Sequence, residues 1–228
     1  MKRSEINKLI RDAEKFFAER SFHLPPFAFW TPEDWKRKGA EADEIRQRSL
    51  GWDLTDFGKG DFQKTGLLLF TIRNGDPKDP AETKNYAEKI MIVNENQVTP
   101  WHFHWSKTED IINRGGGRLL IELAWATQDE SALDLNRHVQ VSMDGVLRVV
   151  PSRGAILLSA GESITLPPKL YHKFYGKHGE GRVLVGEVSR TNDDNTDNRF
   201  LEPAPRFSRI EEDESPHRLL CNEYPSAA

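Results

Sequence analysis

The sequence predicts a mainly β protein, an antiparallel sandwich or barrel that follows two helices. From about residue 49, short apolar runs rich in β-branched and aromatic residues alternate with turn signals. The first 48 residues show helical periodicity and helix-start signals instead. The β pattern occurs once and no solenoid repeat is evident, so we expect a single domain over residues 1–228.

The N-terminal arm, residues 1–48, is predicted to be helical. Apolar side chains recur at three- and four-residue spacing over 4–20, with charges between them. Thr31 then supplies a hydroxyl cap and Pro32 a first-position proline, followed by two acidic residues. A second helix is therefore expected to begin there and to continue to about Gln47.

The β barrel is expected to occupy about residues 49–200. Asp144-Gly145 is a strong signal for a two-residue hairpin. The tail, 201–228, is punctuated by prolines and rich in acids, and we expect it to pack over the barrel. The predicted strands are 66–72, 89–93, 118–126, 138–141, 146–150, 155–159, 162–166, 171–175 and 182–189.

Charge and cysteine content exclude several classes of protein. The formal net charge is -4, which argues against nucleic acid or an anionic membrane as a partner. Cys221 is the single cysteine, so no disulfide can form within the chain. The start of the chain lacks the apolar core of a signal peptide, and no apolar run is long enough to span a bilayer. We therefore expect a cytoplasmic protein.

The segment TPWHFHWSKTED, residues 99–110, concentrates residues that bind metals. In a strand, His102 and His104 point to the same side, so two imidazoles can reach one ion. Glu109 follows after a short connection, and His172 begins another predicted strand after a Pro-Pro turn. Two imidazoles and a carboxylate suit a divalent first-row metal with open positions for a substrate. The competing interpretation is an aromatic core strand that happens to carry histidines.

The same segment resembles the first motif of the cupin family, G-x5-H-x-H-x(3,4)-E-x6-G. His102, His104, Glu109 and Gly116 match it, whereas Asn96 stands where the leading glycine is expected. The resemblance implies a jelly-roll β-barrel with a metal bound inside.

A second stretch resembles the other cupin motif, G-x5-P-x-G-x2-H-x3-N. Gly161, Pro167 and His172 match, while Lys169 replaces the middle glycine and Gly176 replaces the asparagine. The resemblance assigns the metal to four ligands, namely His102, His104, Glu109 and His172.

Nearly the whole chain is similar to one cupin family, the D-lyxose ketol-isomerases. The segments that carry the similarity are FHLPPFAFWTPEDW, EKIMIV, TPWHFHWSKTEDIINRGGG, YHKFYG and GEVSRTNDDNTDNRFLEP. This resemblance implies a homodimer that prefers Mn²⁺, with Zn, Co, Fe or Ni also compatible with the ligand set. It also implies interconversion of free D-lyxose and D-xylulose, with D-mannose and D-fructose as the companion pair.

Such an isomerisation is consistent with the predicted site. Four ligands on an octahedral ion leave two positions for the O1 and O2 atoms of the sugar, and the ion would stabilise an enediolate. A general base must then move a proton between C2 and C1. A metal-assisted hydride shift remains the alternative mechanism.

Glu187 and Lys89 are the candidate catalytic residues because charge is unexpected where they lie. Glu187 interrupts RVLVGEVS among valines, and a buried carboxylate needs a partner or a polar cavity. Lys89 begins KIMIV. The alternatives are a glutamate on an edge strand that faces solvent and a lysine that extends from a strand end to water.

Three residues are candidates for binding the sugar. Asp197 lies in the loop TNDDNTDN, directly after the Glu187 strand. Trp30 and Phe200 can offer apolar faces to a sugar ring. Solvated turns and core aromatics are the respective alternatives.

Three other functions remain open at this stage. The same ligands would serve an Fe(II)-dependent cupin oxygenase. A cupin that binds a sugar without turnover is the second. An isomerase of a phosphorylated sugar is the third, because Arg114 and Arg118 flank three glycines that can form an anion nest. We expect a tight strand turn there, which favours a free sugar.

Overall fold

The N-terminal arm consists of short helices that lie against the β domain. In the computed structural model, which describes residues 1–76, 78–79, 81–191 and 193–227, the first helix closely matches the prediction. The helices are α1 (Arg3–Glu19), α2 (Pro32–Lys36) and α3 (Asp43–Gln47), with 3-10 turns at Pro26–Phe29 and Ala40–Ala42. The second predicted helix is therefore interrupted between Lys36 and Asp43.

Capping explains both the start and the interruption of that second stretch. The Thr31 hydroxyl accepts the Asp34 main-chain N–H at 3.1 Å, and the Asp34 carboxylate accepts the Thr31 N–H at 2.9 Å. After α2, Arg46 donates to the carbonyls of Lys38 and Gly39 at 2.7 and 2.8 Å. Because a side chain satisfies these carbonyls, the helix can end there without leaving them unpaired.

The β domain consists of two antiparallel sheets in the part of the chain that the structure describes. The larger sheet has the order β1-β2-β3-β12-β5-β10-β7-β8 and the smaller has the order β13-β4-β11-β6-β9. The strands are β1 (Gly51–Thr55), β2 (Leu67–Arg73), β3 (Tyr86–Val93), β4 (Thr99–Phe103), β5 (Glu109–Gly116), β6 (Leu119–Trp125), β7 (Val139–Met143), β8 (Val146–Val150), β9 (Gly154–Leu158), β10 (Ser163–Leu166), β11 (Leu170–Gly176), β12 (Val183–Arg190) and β13 (Arg199–Phe200).

The two sheets face each other as a jelly-roll sandwich of the cupin type, and they do not join into a closed barrel. Their inner faces share a core of apolar side chains from β3, β5, β6, β7, β9, β10, β11 and β12. Period-two alternation explains this arrangement, because Met91 and Val93 point into the sandwich while Ile90 and Ile92 point out. Lys89 and Glu187 follow the inward set.

A second core forms on the outer face of the larger sheet. The apolar stripe of α1 packs there against β1, β2 and β3, with Phe17 stacked on Trp52 at a centroid distance of 6.1 Å. This helix therefore covers the side of the sheet opposite the inner core. None of the helices in the described residues is long and apolar enough to cross a membrane.

The nine predicted strands are all present, and the structure adds others that the sequence pattern did not reveal. The segment after Glu109, for which only a glycine-rich turn at 114–117 was predicted, forms the strand β5, which continues to Gly116. It pairs with β10 and β12, so Glu109 is fixed at the first position of a central strand. Rigid placement of this carboxylate follows from the strand pairing.

The tail crosses the sandwich and contacts the N-terminal arm. Arg3, 2% exposed, pairs with Glu212 at 2.6 Å and with Glu223. Cys221 donates its main-chain N–H to the Trp52 carbonyl at 2.7 Å. Residues near both ends of the chain are thereby held beside β1.

Candidate active site

Three histidines from the smaller sheet converge between the two sheets. His102 in β4 and His172 in β11 are directly opposite in the antiparallel register, and His104 follows β4 by one residue. All three are buried, and their candidate ligand nitrogens lie within 4.8 Å of one another. This spacing suits a single metal ion held by all three side chains.

Main-chain carbonyls set the tautomer of each ring. The Nδ1 atoms of His102, His104 and His172 lie 2.8, 3.0 and 3.1 Å from the carbonyls of Pro100, Asp197 and Leu170. Because a carbonyl oxygen only accepts, each Nδ1 carries the proton and each Nε2 presents a lone pair. This is the outer-shell arrangement found around metal-binding histidines.

Glu109 brings a carboxylate from the larger sheet to the same point. Its Oε1 lies 3.3 Å from His104 Nε2 and 3.2 Å from His172 Nε2. Neither Glu109 Oε1 nor His172 Nε2 has a hydrogen-bond partner of good geometry in the described residues, although both are buried. Buried polar atoms seldom remain unsatisfied, so these four side chains fit a divalent cation at their centre.

The protonation states favour metal binding. Burial, with the neighbouring His172 and His104 as smaller contributions, holds the pKa of His102 well below its usual value, so the ring is neutral near pH 7. Burial raises the pKa of Glu109, but the charge of Lys107 and the contact with His104 outweigh it. The pKa of Glu109 is therefore well below its usual value and the group is ionised.

A buried lysine that sequence reasoning missed links this cluster to the catalytic candidates. Lys107 Nζ lies 2.8 Å from Glu109 Oε2 and 2.8 Å from Glu187 Oε1, and its side chain is 1% exposed. Burial lowers the pKa of Lys107, yet the two carboxylates raise it by more, so the ammonium stays charged. The signal available in the sequence was a charge placed between two predicted ligands, His104 and Glu109.

Glu187 and Lys89 lie opposite each other in the register of β12 and β3, and both point into the sandwich. Their Oε1 and Nζ atoms are 3.5 Å apart, and the Lys89 ammonium donates to Asp194 at 3.1 Å. The structure thus brings both residues to the histidine cluster. The Lys107 ammonium donates to Oε1 of Glu187 at 2.8 Å, and among the described residues no hydrogen bond to Oε2 is found.

One cavity of about 260 Å³ contains all of these groups. Its wall includes polar, charged and apolar side chains. The lining residues are Asp53, Thr55, Phe57, Leu67, Leu69, Lys89, Met91, Thr99, His102, His104, Lys107, Glu109, Ile111, His172, Phe174, Glu187, Asp194, Asn195, Asn198, Phe200, Ala204 and Arg206.

The structure places the three predicted sugar-binding residues differently. Phe200 lines the cavity and stacks on His102 at a centroid distance of 5.4 Å. Asp197 does not line the cavity, because its carboxylate accepts the main-chain N–H groups of Ser106 and Lys107 at 2.9 and 3.1 Å. Together with its carbonyl bond to His104, Asp197 acts as a support for the loop that carries the site.

Trp30 is not brought to the cavity. It packs in the N-terminal arm, edge-on to Trp35 at 5.1 Å, with the Lys38 ammonium 4.2 Å from its ring centre. The apolar face of its ring suggested contact with a sugar, but these partners from the arm occupy the side chain. Sequence reasoning also left Asp53 and Arg206 unassigned, and both line the cavity.

The departures from the two motifs keep the backbone conformation that glycine would allow. Asn96 and Lys169 replace glycines of the family patterns, and both adopt positive φ values, 57° and 63°. The Lys169 N–H donates to the His104 carbonyl at 2.8 Å, so this strained residue fixes the main chain beside a predicted ligand.

Fold and site together define a cupin-type protein with a buried centre of three histidines and a carboxylate. The sequence model of the D-lyxose isomerase family matches residues 1–224, and the chain belongs to that family. It is accordingly an enzyme of the aldose–ketose isomerase class.

Curated relatives agree with this assignment over almost the full length. A D-lyxose/D-mannose isomerase of Serratia proteamaculans is 50% identical over 226 residues, which is 98% of each chain. A protein of the same name from Escherichia coli O157:H7 is 49% identical over 225 residues, again 98% of each chain.

Solved structures support the fold. The L-ribose isomerase of Cellulomonas parahominis, crystallised with L-ribose, has a TM-score of 0.61 at 16% identity and covers 92% of this chain and 98% of its own. The L-ribose isomerase of Acinetobacter sp. DL28 in complex with L-ribose gives a TM-score of 0.60 at 15% identity, with the same coverage. At these identities the likeness concerns the fold alone.

Proposed function

We propose that this chain interconverts D-lyxose with D-xylulose, and D-mannose with D-fructose, with the help of one divalent metal ion, Mn²⁺. The names of the relatives at about 50% identity, D-lyxose/D-mannose isomerases, support the choice of sugars. The observation that carries the proposal is the position of Glu187 beside the histidine cluster, joined to it through the buried ammonium of Lys107. A base and a metal site thereby share one cavity.

His102, His104, His172 and Glu109 would hold the ion. When bound, it would supply Lewis-acid polarisation and a template for the O1 and O2 atoms of the sugar. Zn, Co, Fe and Ni suit the same donor atoms, so availability decides which metal is used.

Glu187 is the proposed base that carries a proton between C2 and C1. Its Oε1 atom is held by the Lys107 ammonium, whereas Oε2 accepts no hydrogen bond from the described residues. One carboxylate oxygen is therefore fixed in place and the other is available to the substrate. A base held in this way can remove the proton from one carbon and return it to the next.

Lys107 and Lys89 are proposed to orient Glu187 and to balance its charge. Both ammonium groups are nearly inaccessible to solvent, at 1% and 4% side-chain exposure, so their charges are little screened. Each can also donate a hydrogen bond to an oxygen of the substrate that gains negative charge. A hydride shift would need neither a base nor its two cations.

The competing functions have less support. Oxygenation does not require a base at Glu187, and membership of an isomerase family disfavours binding without turnover. For a phosphorylated sugar, the proposed anion nest is missing from the cavity, since Gly115 and Gly116 continue β5 and Arg118 pairs with Glu180. A free monosaccharide is the substrate that remains.

The proposal is tested by assaying D-lyxose and D-mannose turnover with protein stripped by a chelator and reloaded with Mn²⁺, Co²⁺, Ni²⁺, Fe²⁺ or Zn²⁺. We expect activity to be lost on stripping and restored by metal, with formation of the matching ketose. Metal-loaded protein that turns over neither sugar would contradict the proposed function.

Two histidine variants serve as a matched pair in the same experiment. His104→Ala removes a proposed ligand and should lose bound metal and activity together. His178→Ala alters a histidine whose side chain is 83% exposed, and it should keep both. Inactive His104→Ala protein with full metal content would refute the ligand assignment.

We also propose a homodimer. Strand β8 ends the order of the larger sheet, and its Val146, Leu147 and Val149 side chains are each more than half exposed. The open edge of a terminal strand with apolar side chains readily pairs with another strand, and a second copy offers the same strand about a two-fold axis. This edge is the proposed contact.

Sedimentation velocity tests the dimer directly. The unmodified protein should sediment as a dimer, whereas Leu147→Lys combined with Val149→Lys should shift it towards monomer. Leu135→Lys is the control, since Leu135 is equally exposed but lies outside β8. If the doubly substituted protein is still a dimer, the contact lies outside β8. If the unmodified protein is a monomer at all concentrations, the proposed homodimer is wrong.

A further inference from the structure

We propose that Asp53 and Arg206 form a distal subsite that hydrogen-bonds the hydroxyl groups at the far end of the sugar, away from C1 and C2. Asp53 is on β1 and Arg206 is in the tail, and both line the cavity that contains the histidine cluster. The inference rests on the proposed function, because it assigns the part of the same substrate that does not react.

Arg206 is held in place but its hydrogen-bonding capacity is only partly used. Its Nη1 donates to Asn195 at 2.7 Å, which fixes the guanidinium. In the part of the chain that is described, Nη2 has only long contacts, 3.5 Å to Asp53 and 3.8 Å to Asp194. Charge-assisted hydrogen bonds of this type are normally 2.7–2.9 Å long, so the Nη2 group of Arg206 can donate to another acceptor.

Asp53 is a buried carboxyl with an incomplete set of partners. Its side chain is 10% exposed, and within the described residues its single hydrogen-bond contact is the long one to Arg206. A carboxylate can accept about four hydrogen bonds, so one weak partner leaves most of this capacity unused. Burial raises the pKa of Asp53, while Arg206 opposes that change. A ligand that donates hydrogen bonds would complete the site.

A chain of hydroxyl groups is the chemistry that fits this pair. Each hydroxyl can donate to Asp53 and accept from Arg206, which a single apolar or charged group cannot do. The pair is also connected to the reacting end of the cavity, since Arg206 approaches Asp194, and Asp194 accepts from Lys89 beside Glu187. One sugar can therefore contact base and distal pair together.

The test compares each parent sugar with its terminal deoxy analogue, 5-deoxy-D-lyxose or 6-deoxy-D-mannose, in the metal-loaded enzyme. A hydrogen bond to a charged group that is lost with the hydroxyl should lower kcat/KM about 10- to 100-fold in the unmodified protein. In Asp53→Asn the kcat/KM for the parent sugar should exceed that for the deoxy sugar by less than about fivefold, mainly because KM for the parent sugar rises.

Arg206→Lys is the second variant, because it keeps a positive charge between Asp53 and Asp194 while removing the fork. Asp56→Asn is the matched control. Asp56 is equally buried and accepts from the tail residue Ser208, but it does not line the cavity. It should keep the full discrimination against the deoxy sugar even if docking of the tail is weakened.

Loss of discrimination in both subsite variants, with Asp56→Asn unchanged, supports the inference. An unmodified enzyme that does not discriminate, or subsite variants that discriminate fully, would overturn it. An equal loss of discrimination in Asp56→Asn would also overturn the inference, because the effect would then come from weakened docking of the tail. If the unmodified enzyme turns over neither parent sugar, the proposed function fails first and the distal subsite fails with it.

Discussion

Replacing Glu187 by glutamine is expected to lower kcat for D-lyxose by about 10²- to 10⁴-fold. Glutamine keeps the shape of the side chain but lacks an oxygen that can take a proton from a sugar carbon. The proposed metal ligands are untouched, so the metal content should stay close to that of the unmodified protein. Steady-state kinetics and elemental analysis of the same preparation measure both quantities.

Glu122→Gln is the control for this change. Glu122 is also a glutamate on a central strand, but it pairs with Lys173 and accepts from Tyr175, outside the cavity. It should retain most of the activity. Near-normal turnover in Glu187→Gln would show that Glu187 is not the base.

An isotope experiment on the unmodified enzyme distinguishes the two mechanisms. Incorporation of deuterium from the solvent into the product would support proton transfer over a hydride shift.

Replacing Lys107 by methionine is expected to lower the free energy of unfolding of the metal-free protein by about 3–5 kcal/mol. The change leaves Glu109 and Glu187 buried without the ammonium that lies 2.8 Å from each. For a chain of this size, the thermal midpoint should fall by about 6–20 °C. Denaturant and thermal unfolding in the presence of a chelator measure the effect without a metal to offset it.

Two further variants separate this explanation from a general loss of lysine. Lys36→Met breaks an exposed pair with Glu33 and should change stability by less than about 1 kcal/mol. Adding Glu187→Gln to Lys107→Met removes one of the two carboxylates that lost the Lys107 ammonium. Part of the lost free energy of unfolding should therefore return. Equal destabilisation by Lys36→Met and Lys107→Met would refute the argument.

Much of the site could be predicted because strand alternation and motif spacing are properties of the sequence. His102 and His104 are two positions apart in the sequence. Glu187 and Lys89 are each an even number of positions from valine or methionine residues whose side chains point into the sandwich. Because side chains alternate along a strand, residues separated by an even number of positions lie on the same face. The histidine cluster and the two catalytic candidates therefore meet as expected.

The residues that were missed lie where periodicity carries no information. Lys107 sits in the polar segment between β4 and β5, and nothing local shows that it is buried between two carboxylates. Arg206 reaches the cavity from the tail, where it contacts Asp53, 153 positions away in the sequence. The start of β5 also has charged residues, Glu109 and Asp110, which hid the strand from the pattern. Tertiary contacts decide all of these.

The distal pair also has a consequence for synthesis of the protein. Asp53 is among the first residues of the β domain to leave the ribosome, whereas Arg206 follows 153 positions later. Contacts of such long sequence separation form late, because the intervening chain must be ordered first. A nascent chain can thus complete its inner core and its histidine cluster while the cavity is still open at the far end. Arrival of the tail would then complete the proposed sugar site beside a histidine cluster that has already formed.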